Sequence, residues 1–124
     1  MPQIVLVVDD DSSIVYTIKS ILLKNGYEVI TGTNGDEALK LIKNNKPDLI
    51  ITDLAMPVMD GWYFRMKVRE DPRLKTTPII IISGLLAPEA AQQEHETATF
   101  YIPKPFNSSM LLEKIKELLS DRNP

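Results

Sequence analysis

LIITDLAMPVMDG, residues 49–61, is the segment around which this chain is organised. Its first three residues, Leu49 to Ile51, form an apolar run that predicts a strand buried on both faces of a sheet. Asp53 follows where this strand emerges, and Pro57 and Asp60-Gly61 then stop the strand and form a loop. Ligands of open α/β sheets bind at the carboxyl ends of strands. A chemical role therefore explains an acid at this position better than a structural role does.

The composition is that of one soluble globular domain. The chain has 124 residues, 44% of them hydrophobic and 25% charged, which is enough to bury a core without disulfides. It contains no cysteine, so disulfides and thiolate sites are excluded. No apolar run approaches the roughly 18 residues that span a membrane, and no signal-peptide pattern is present. We expect a cytoplasmic protein without membrane contact.

The charge pattern argues against direct binding to nucleic acid. The formal net charge is −3, and the lysines and arginines are scattered along the chain. Affinity for phosphate backbones depends on clustered cations. We therefore expect no direct nucleic-acid partner.

Five apolar runs alternate with helical patterns. Because the central runs are apolar throughout, they predict a parallel five-stranded sheet with helices on both faces, an α/β fold. Residues 1–120 are expected to form this single domain, and residues 121–124 a C-terminal tail. The predicted strands are Ile4–Val8, Tyr27–Thr31, Leu49–Asp53, Ile79–Ile82 and Phe100–Ile102.

Capping residues mark the starts of the first two helices. Ser12 or Ser13 can cap the first helix, and Asp11 just before them is itself more readily explained as a cap than as a ligand. Asn34 followed by Glu37 predicts a cap with a reciprocal carboxylate at the second helix.

The later helices give weaker signals. Trp62, Met66 and Val68 indicate the inner side of a third helix. A fourth helix, over residues 87–98, is mostly Ala, Gln, Glu and Thr and is expected to be short or loosely held. His95 lies within it among acidic and amide residues and is interpreted as a solvated side chain.

Acids at the ends of two strands point to a metal site. Neighbouring parallel strands lie about 4.8 Å apart, so if the first and third strands are neighbours, Asp9, Asp10 and Asp53 converge. Three carboxylates need a cation, and oxygen ligands without His or Cys favour a hard ion, best Mg²⁺. Lys104 after the fifth strand and Ser83 after the fourth add an ammonium and a hydroxyl. These are the groups that phosphoryl transfer to an aspartate requires.

Four motifs at four strand ends resemble the receiver domain of two-component response regulators. They are VVDD at residues 7–10, DLAMPVMDG at 53–61, SG at 83–84 and KPF at 104–106. The resemblance covers essentially the whole chain. It implies a flavodoxin-like fold with strand order 2-1-3-4-5.

The same resemblance implies roles for single residues. Asp53 is then the phosphoacceptor, and Mg²⁺ is held by Asp9, Asp10, Asp53 and the backbone carbonyl of Ala55. Ser83 closes on the phosphoryl group, Tyr101 is the rotating aromatic residue, and Lys104 contacts the phosphoryl oxygens next to a cis peptide bond to Pro105.

The resemblance also implies partners and an output. The phosphodonor is a histidine kinase or a histidine phosphotransfer protein. Phosphorylation changes the surface formed by the helix at 87–98, the fifth strand and the last helix, and this surface controls a downstream protein or an output domain. The protein is then not an enzyme, beyond slow self-dephosphorylation.

Two other classes of function compete with this interpretation. A Mg²⁺-dependent phosphohydrolase would use Asp53 as a transient nucleophile, but such enzymes often carry a second acid two residues later, where this chain has Ala55. A flavin carrier of the same fold needs a hydroxyl-rich phosphate loop after the first strand, where this chain has Asp9 to Asp11.

Overall fold

A parallel five-stranded sheet forms the centre of the molecule, with strand order β2-β1-β3-β4-β5. The computed structural model describes residues 2–54, 56, 58–84 and 98–120. The predicted α/β class and the order 2-1-3-4-5 are both confirmed. The strands are β1 (Ile4–Val8), β2 (Glu28–Gly32), β3 (Leu49–Asp53), β4 (Ile79–Ser83) and β5 (Thr99–Pro103).

Four α-helices occur within the described ranges, together with one short 3-10 helix at Pro72–Leu74. They are α1 (Ser12–Lys24), α2 (Gly35–Ile42), α3 (Gly61–Arg69) and α4 (Ser108–Ser120). The carbonyl of Ala55, nearly all of the helix predicted at 87–98, including His95, and the tail at 121–124 lie outside the described residues.

The two faces of the sheet carry separate hydrophobic clusters. Alternate residues of a strand point to opposite faces, so Val5 and Val7 join one cluster while Leu6 and Val8 join the other. The first cluster packs against α1 and α4, and the second against α2 and α3. β3 and β4 are buried along their whole length, because both of their faces are covered by helices.

The helix caps confirm the predictions for Asp11 and Asn34 and correct the one for Ser12 or Ser13. Asp11, and neither Ser12 nor Ser13, caps α1, since its carboxylate accepts a hydrogen bond from the Ser13 backbone N–H at 3.0 Å. A carboxylate also interacts more favourably than a hydroxyl with the positive end of the helix dipole. Asn34 caps α2 as predicted, and Glu37 reaches back to the backbone N–H of Thr33 at 3.3 Å.

The prediction for the inner face of α3 is wrong at two of its three positions. Trp62 and Met66 are 42% and 45% exposed, whereas Phe64 and Val68 are fully buried. Phe64 and Val68 are four residues apart and therefore share a face of the helix. Arg65 is also buried, and its guanidinium Nε donates a hydrogen bond to Thr99 Oγ1 at 2.9 Å.

Within the described part of the chain, no helix combines the length and apolar character that crossing a membrane would require.

Candidate functional site

The register of the central strands brings the acids of β1 and β3 together. Val8 pairs with Thr52 across the β1–β3 ladder, so Asp9 and Asp53 come next at the same edge of the sheet. Each of Asp9, Asp10 and Asp53 offers one carboxylate oxygen within 4.8 Å of the others. Asp9 and Asp53 are buried, whereas Asp10 is exposed. The cluster therefore consists of two buried acids and one acid that is open to solvent.

Backbone N–H groups fix the two buried carboxylates. The N–H of Asp11 donates to Asp9 Oδ1 at 2.9 Å, and the N–H of Leu54 donates to Asp53 Oδ1 at 2.7 Å. Leu54 is the first residue after β3, and Asp11 is the third residue after β1 and the cap of α1. The carboxylates are thus oriented before any ligand binds.

Gly61 brings the start of α3 against the end of β3. Its N–H donates to the carbonyl oxygen of Leu54 at 2.7 Å. A Cβ at Gly61 would collide with the backbone carbonyl oxygen of Asp53 and would lie 2.9 Å from Leu54 Cα. Only glycine permits this approach, so it supports the backbone that carries Asp53. Sequence reasoning identified the Asp60-Gly61 pair as a turn and missed this supporting role.

Lys104 follows the carboxyl end of β5, and its side chain extends to the cluster of acids. Its Nζ lies 3.1 Å from Asp9 Oδ2 and 3.4 Å from Asp53 Oδ2. Its backbone N–H donates to the carbonyl of Ser83 at 3.0 Å, which continues the β4–β5 pairing by one residue. The Lys104-Pro105 peptide bond is cis. One ammonium thus bridges two acids that are 44 positions apart in the sequence.

Burial and charge shift the pKa values of the paired groups. Burial raises the pKa of Asp9 above its ordinary value of 3.8, and this effect outweighs the hydrogen bonds from Asp11 and Lys104. Burial alone would lower the pKa of Lys104, but the hydrogen bond and charge of Asp9, together with the charge of Asp53, raise it above 10.5. Lys104 is therefore a fixed cation at neutral pH, while the ionised form of Asp9 is destabilised.

The charges of the site favour a divalent cation. Three carboxylates against one ammonium leave two formal negative charges uncompensated (three minus one). The donors of this cluster are all oxygens, and three carboxylates at one exposed edge suit Mg²⁺, which keeps several waters and leaves positions for phosphate oxygens. The residues present therefore fit a magnesium ion.

Ser83 lies on β4, the strand next to β3, and Tyr101 lies on β5, one strand further out. Ser83 is the last residue of β4, is 1% exposed and pairs with Pro103 of β5. Tyr101 pairs with Ile81 and packs against the cluster on the α2 and α3 side. Its ring centroid lies 5.7 Å from that of Trp62. This contact was not predicted, because the sequence pattern indicated Trp62 on the inner side of its helix.

Comparisons with known proteins agree on one family. The sequence matches the family described as "Response regulator receiver domain" over residues 5–116. It is 34% identical to the response regulator MprA of Mycobacterium sp. (strain KMS), over all of this chain and 54% of that protein. Protein PilG of Pseudomonas aeruginosa is 34% identical over 90% of this chain and 84% of its own length. The chain thus spans about half the length of MprA.

A solved structure supports the same relationship at the level of the fold. The receiver domain of the Francisella response regulator 1452 superposes with a TM-score of 0.87 and 32% sequence identity. The match covers 98% of this chain and 99% of that one. At this identity and coverage the likeness extends over the entire domain and includes all five strands.

Proposed function

This chain belongs to the response regulator receiver domain family, and we propose that Asp53 is the residue on which it accepts a phosphoryl group. The domain is a phosphoacceptor switch of two-component signalling, and the family does not favour the phosphohydrolase alternative. We also propose which residues carry out this function, which cation they bind, which class of protein donates the phosphoryl group and how the signal leaves the site.

One observation supports Asp53 more than any other. Its carboxylate is held at Oδ1 by the Leu54 N–H, while Oδ2 lies 3.4 Å from the ammonium of Lys104. The nucleophile is thus oriented and faces a cation that can neutralise charge on an incoming phosphoryl group. Phosphoryl transfer depends mainly on such positioning and neutralisation.

The proposed transfer can be written bond by bond. A carboxylate oxygen of Asp53 attacks the phosphorus of a phosphohistidine, and a P–O bond forms as the P–N bond breaks. The electron pair of the P–N bond leaves with the imidazole nitrogen, which takes up a proton. Lys104 binds the phosphoryl oxygens, and the product is an aspartyl phosphate on this chain with a free histidine on the donor.

We assign the magnesium ligands to Asp9, Asp10 and Asp53, whose oxygens lie within 4.8 Å of one another. The fourth proposed ligand, the carbonyl of Ala55, lies outside the described residues. When bound, Mg²⁺ would offset the negative charge of the carboxylates and of the phosphoryl oxygens. Asp9 and Asp10 then serve as ligands, and Asp53 as both ligand and nucleophile.

The signal is proposed to leave the site through Ser83 and Tyr101. The Ser83 hydroxyl moves toward the phosphoryl group, Tyr101 follows by turning toward the core, and the surface around β5, α4 and the helix predicted at 87–98 changes its affinity for a partner. The donor is a histidine kinase or a histidine phosphotransfer protein, and the target is a downstream protein or an output domain. We place the receiver domain at residues 1–120 and the protein in the cytoplasm.

Incubation with a small phosphodonor and Mg²⁺ tests the proposal. The intact mass should rise by one phosphoryl group, and Asp53→Asn should abolish the change. Asp60→Asn is the matched control, because Asp60 follows β3 by only seven positions yet serves as the cap of α3. Unchanged labelling of Asp53→Asn, or turnover of a phosphate ester far above stoichiometry, would contradict the proposal.

A further inference from the structure

Trp62 and Tyr101 connect α3 to β5. Their ring centroids are 5.7 Å apart and the ring planes are inclined by 48°. This distance and tilt fall within the favourable range for an aromatic pair. Trp62 is the second residue of α3, and Tyr101 is the middle residue of β5. The contact therefore joins the helix that follows Asp53 to the residue proposed to relay the signal.

Tyr101 is turned toward the core in this structure. Its ring packs against the hydrophobic cluster that includes Phe64 and Ile81, and its hydroxyl oxygen is buried. This core-facing position is the one that the proposed function assigns to the phosphorylated protein. The contact with Trp62 therefore stabilises the signalling position of Tyr101.

Trp62 contributes less to folding than a core tryptophan would. It is 42% exposed, so much of its surface gains nothing from burial.

We infer that Trp62 is a positioning residue that holds Tyr101 in its core-facing orientation and thereby favours the phosphorylated state. The inference rests on the proposed function. Because ligand binding and the position of Tyr101 are linked, weakening this contact must weaken binding of a phosphoryl group or its mimic, by at most the same factor. The strength of aromatic pairs corresponds to about a two- to tenfold change in the equilibrium between the two positions of Tyr101.

Titration with beryllofluoride in excess Mg²⁺ provides the test, because beryllofluoride mimics a phosphoryl group on a carboxylate. Calorimetric titration of Trp62→Leu should give an affinity measurably weaker than that of the wild type, by up to about tenfold. Trp62→Phe, which keeps an aromatic ring, should recover part of the loss. Tyr63→Leu is the matched control, because Tyr63 is the next residue on α3 and is similarly exposed, at 45%. Its affinity should equal that of the wild type.

A double-mutant cycle separates positioning of Tyr101 from a general effect on the fold. In a Tyr101→Leu background, Trp62→Leu should no longer change the affinity for beryllofluoride. Urea unfolding of each variant verifies that all of them are folded at the titration temperature.

The outcomes distinguish the two proposals. If the wild type binds beryllofluoride but Trp62→Leu binds equally or more tightly, or if the loss persists in the Tyr101→Leu background, the role of Trp62 is refuted and the proposed function stands. If the wild type does not bind, or Asp53→Asn binds equally well, the proposed function fails and the inference falls with it.

Discussion

The ammonium of Lys104 lies 3.4 Å from the carboxylate of Asp53. The same ammonium lies 3.1 Å from Asp9, whose side chain is almost completely buried. Lys104 thus compensates part of the negative charge at the site and leaves the rest for a cation. This arrangement gives the site a surplus of negative charge.

Replacing Lys104 with glutamine should destabilise the protein in the absence of divalent cations. The acids at the sheet edge lose their internal cation, and we expect the free energy of unfolding at neutral pH to fall by about 1–3 kcal/mol, less than for a fully buried pair. Urea denaturation measures this loss, and added Mg²⁺ should recover part of it. Lys40→Gln is the control, since Lys40 pairs with Asp36 and both side chains are largely exposed to solvent. Equal stability of the two variants would contradict this account of the charges.

Asp9→Asn should have the opposite effect at neutral pH without Mg²⁺. Burial raises the pKa of Asp9, so the folded protein binds a proton at Asp9 more readily than the unfolded chain does, and the ionised carboxylate costs stability. This cost is present above the raised pKa and disappears as the pH falls through it. The variant should therefore be more stable than the wild type by about 1 kcal/mol at neutral pH, with a gain that shrinks as the pH falls.

Urea unfolding across the acidic range, with and without Mg²⁺, measures this difference. Saturating Mg²⁺ should remove the advantage of the variant, because the cation stabilises the wild-type carboxylate. A gain that grows toward acidic pH would have the wrong sign for a raised pKa.

Mg²⁺ should raise the melting temperature of the wild type, because a ligand that binds only the folded state stabilises it. The free energy of unfolding rises by about 2.7 kcal/mol when the ligand is in hundredfold excess over Kd. Asp10→Asn should lose most of this shift because one of the three clustered acids is removed. Asp11→Asn carries the same change of charge one residue later, and asparagine still caps α1. Its shift with Mg²⁺ should match that of the wild type. Equal shifts for the two variants would refute a site-specific ion.

Gly61→Ala should both destabilise the protein and slow its phosphorylation. The new Cβ would collide with the carbonyl oxygen of Asp53, and overpacking of this kind costs about 1–3 kcal/mol. The collision also moves the backbone that carries the proposed nucleophile. Gly84→Ala is the control, because its Cβ would meet nothing closer than 3.8 Å. Thermal melts and phosphodonor labelling give both readouts, and a Gly61→Ala variant that behaves like Gly84→Ala would contradict the supporting role.

The strands and the convergence of their acids could be predicted from the sequence. Apolar runs such as Ile79–Ile82 are local signals, and parallel pairing places their carboxyl ends at one edge. These two facts together predict that Asp9, Asp53 and Lys104 lie at one edge of the sheet. The family motifs then supplied the order of the strands, which periodicity alone does not determine.

The inner face of α3 could not be predicted in the same way. Trp62 and Met66 form one apolar pair four residues apart, and Phe64 and Val68 form another on a different face, so the sequence offers two stripes. The choice depends on the close packing of Gly61 against Asp53, which is a tertiary contact. Likewise, three successive residues can cap α1. The sequence favoured a capping role for Asp11 but offered Ser12 and Ser13 as well, and the structure selects Asp11.

Reductive trapping of the phosphorylated chain tests the central claim most directly. Borohydride converts an aspartyl phosphate to homoserine, and peptide mass spectrometry then identifies the modified position after treatment with phosphodonor and Mg²⁺. We predict homoserine at position 53 and at no other acid, with no signal when Mg²⁺ is chelated. Homoserine at position 9, 10 or 60, or a stable phosphate on Ser83 with position 53 unmodified, would contradict the account.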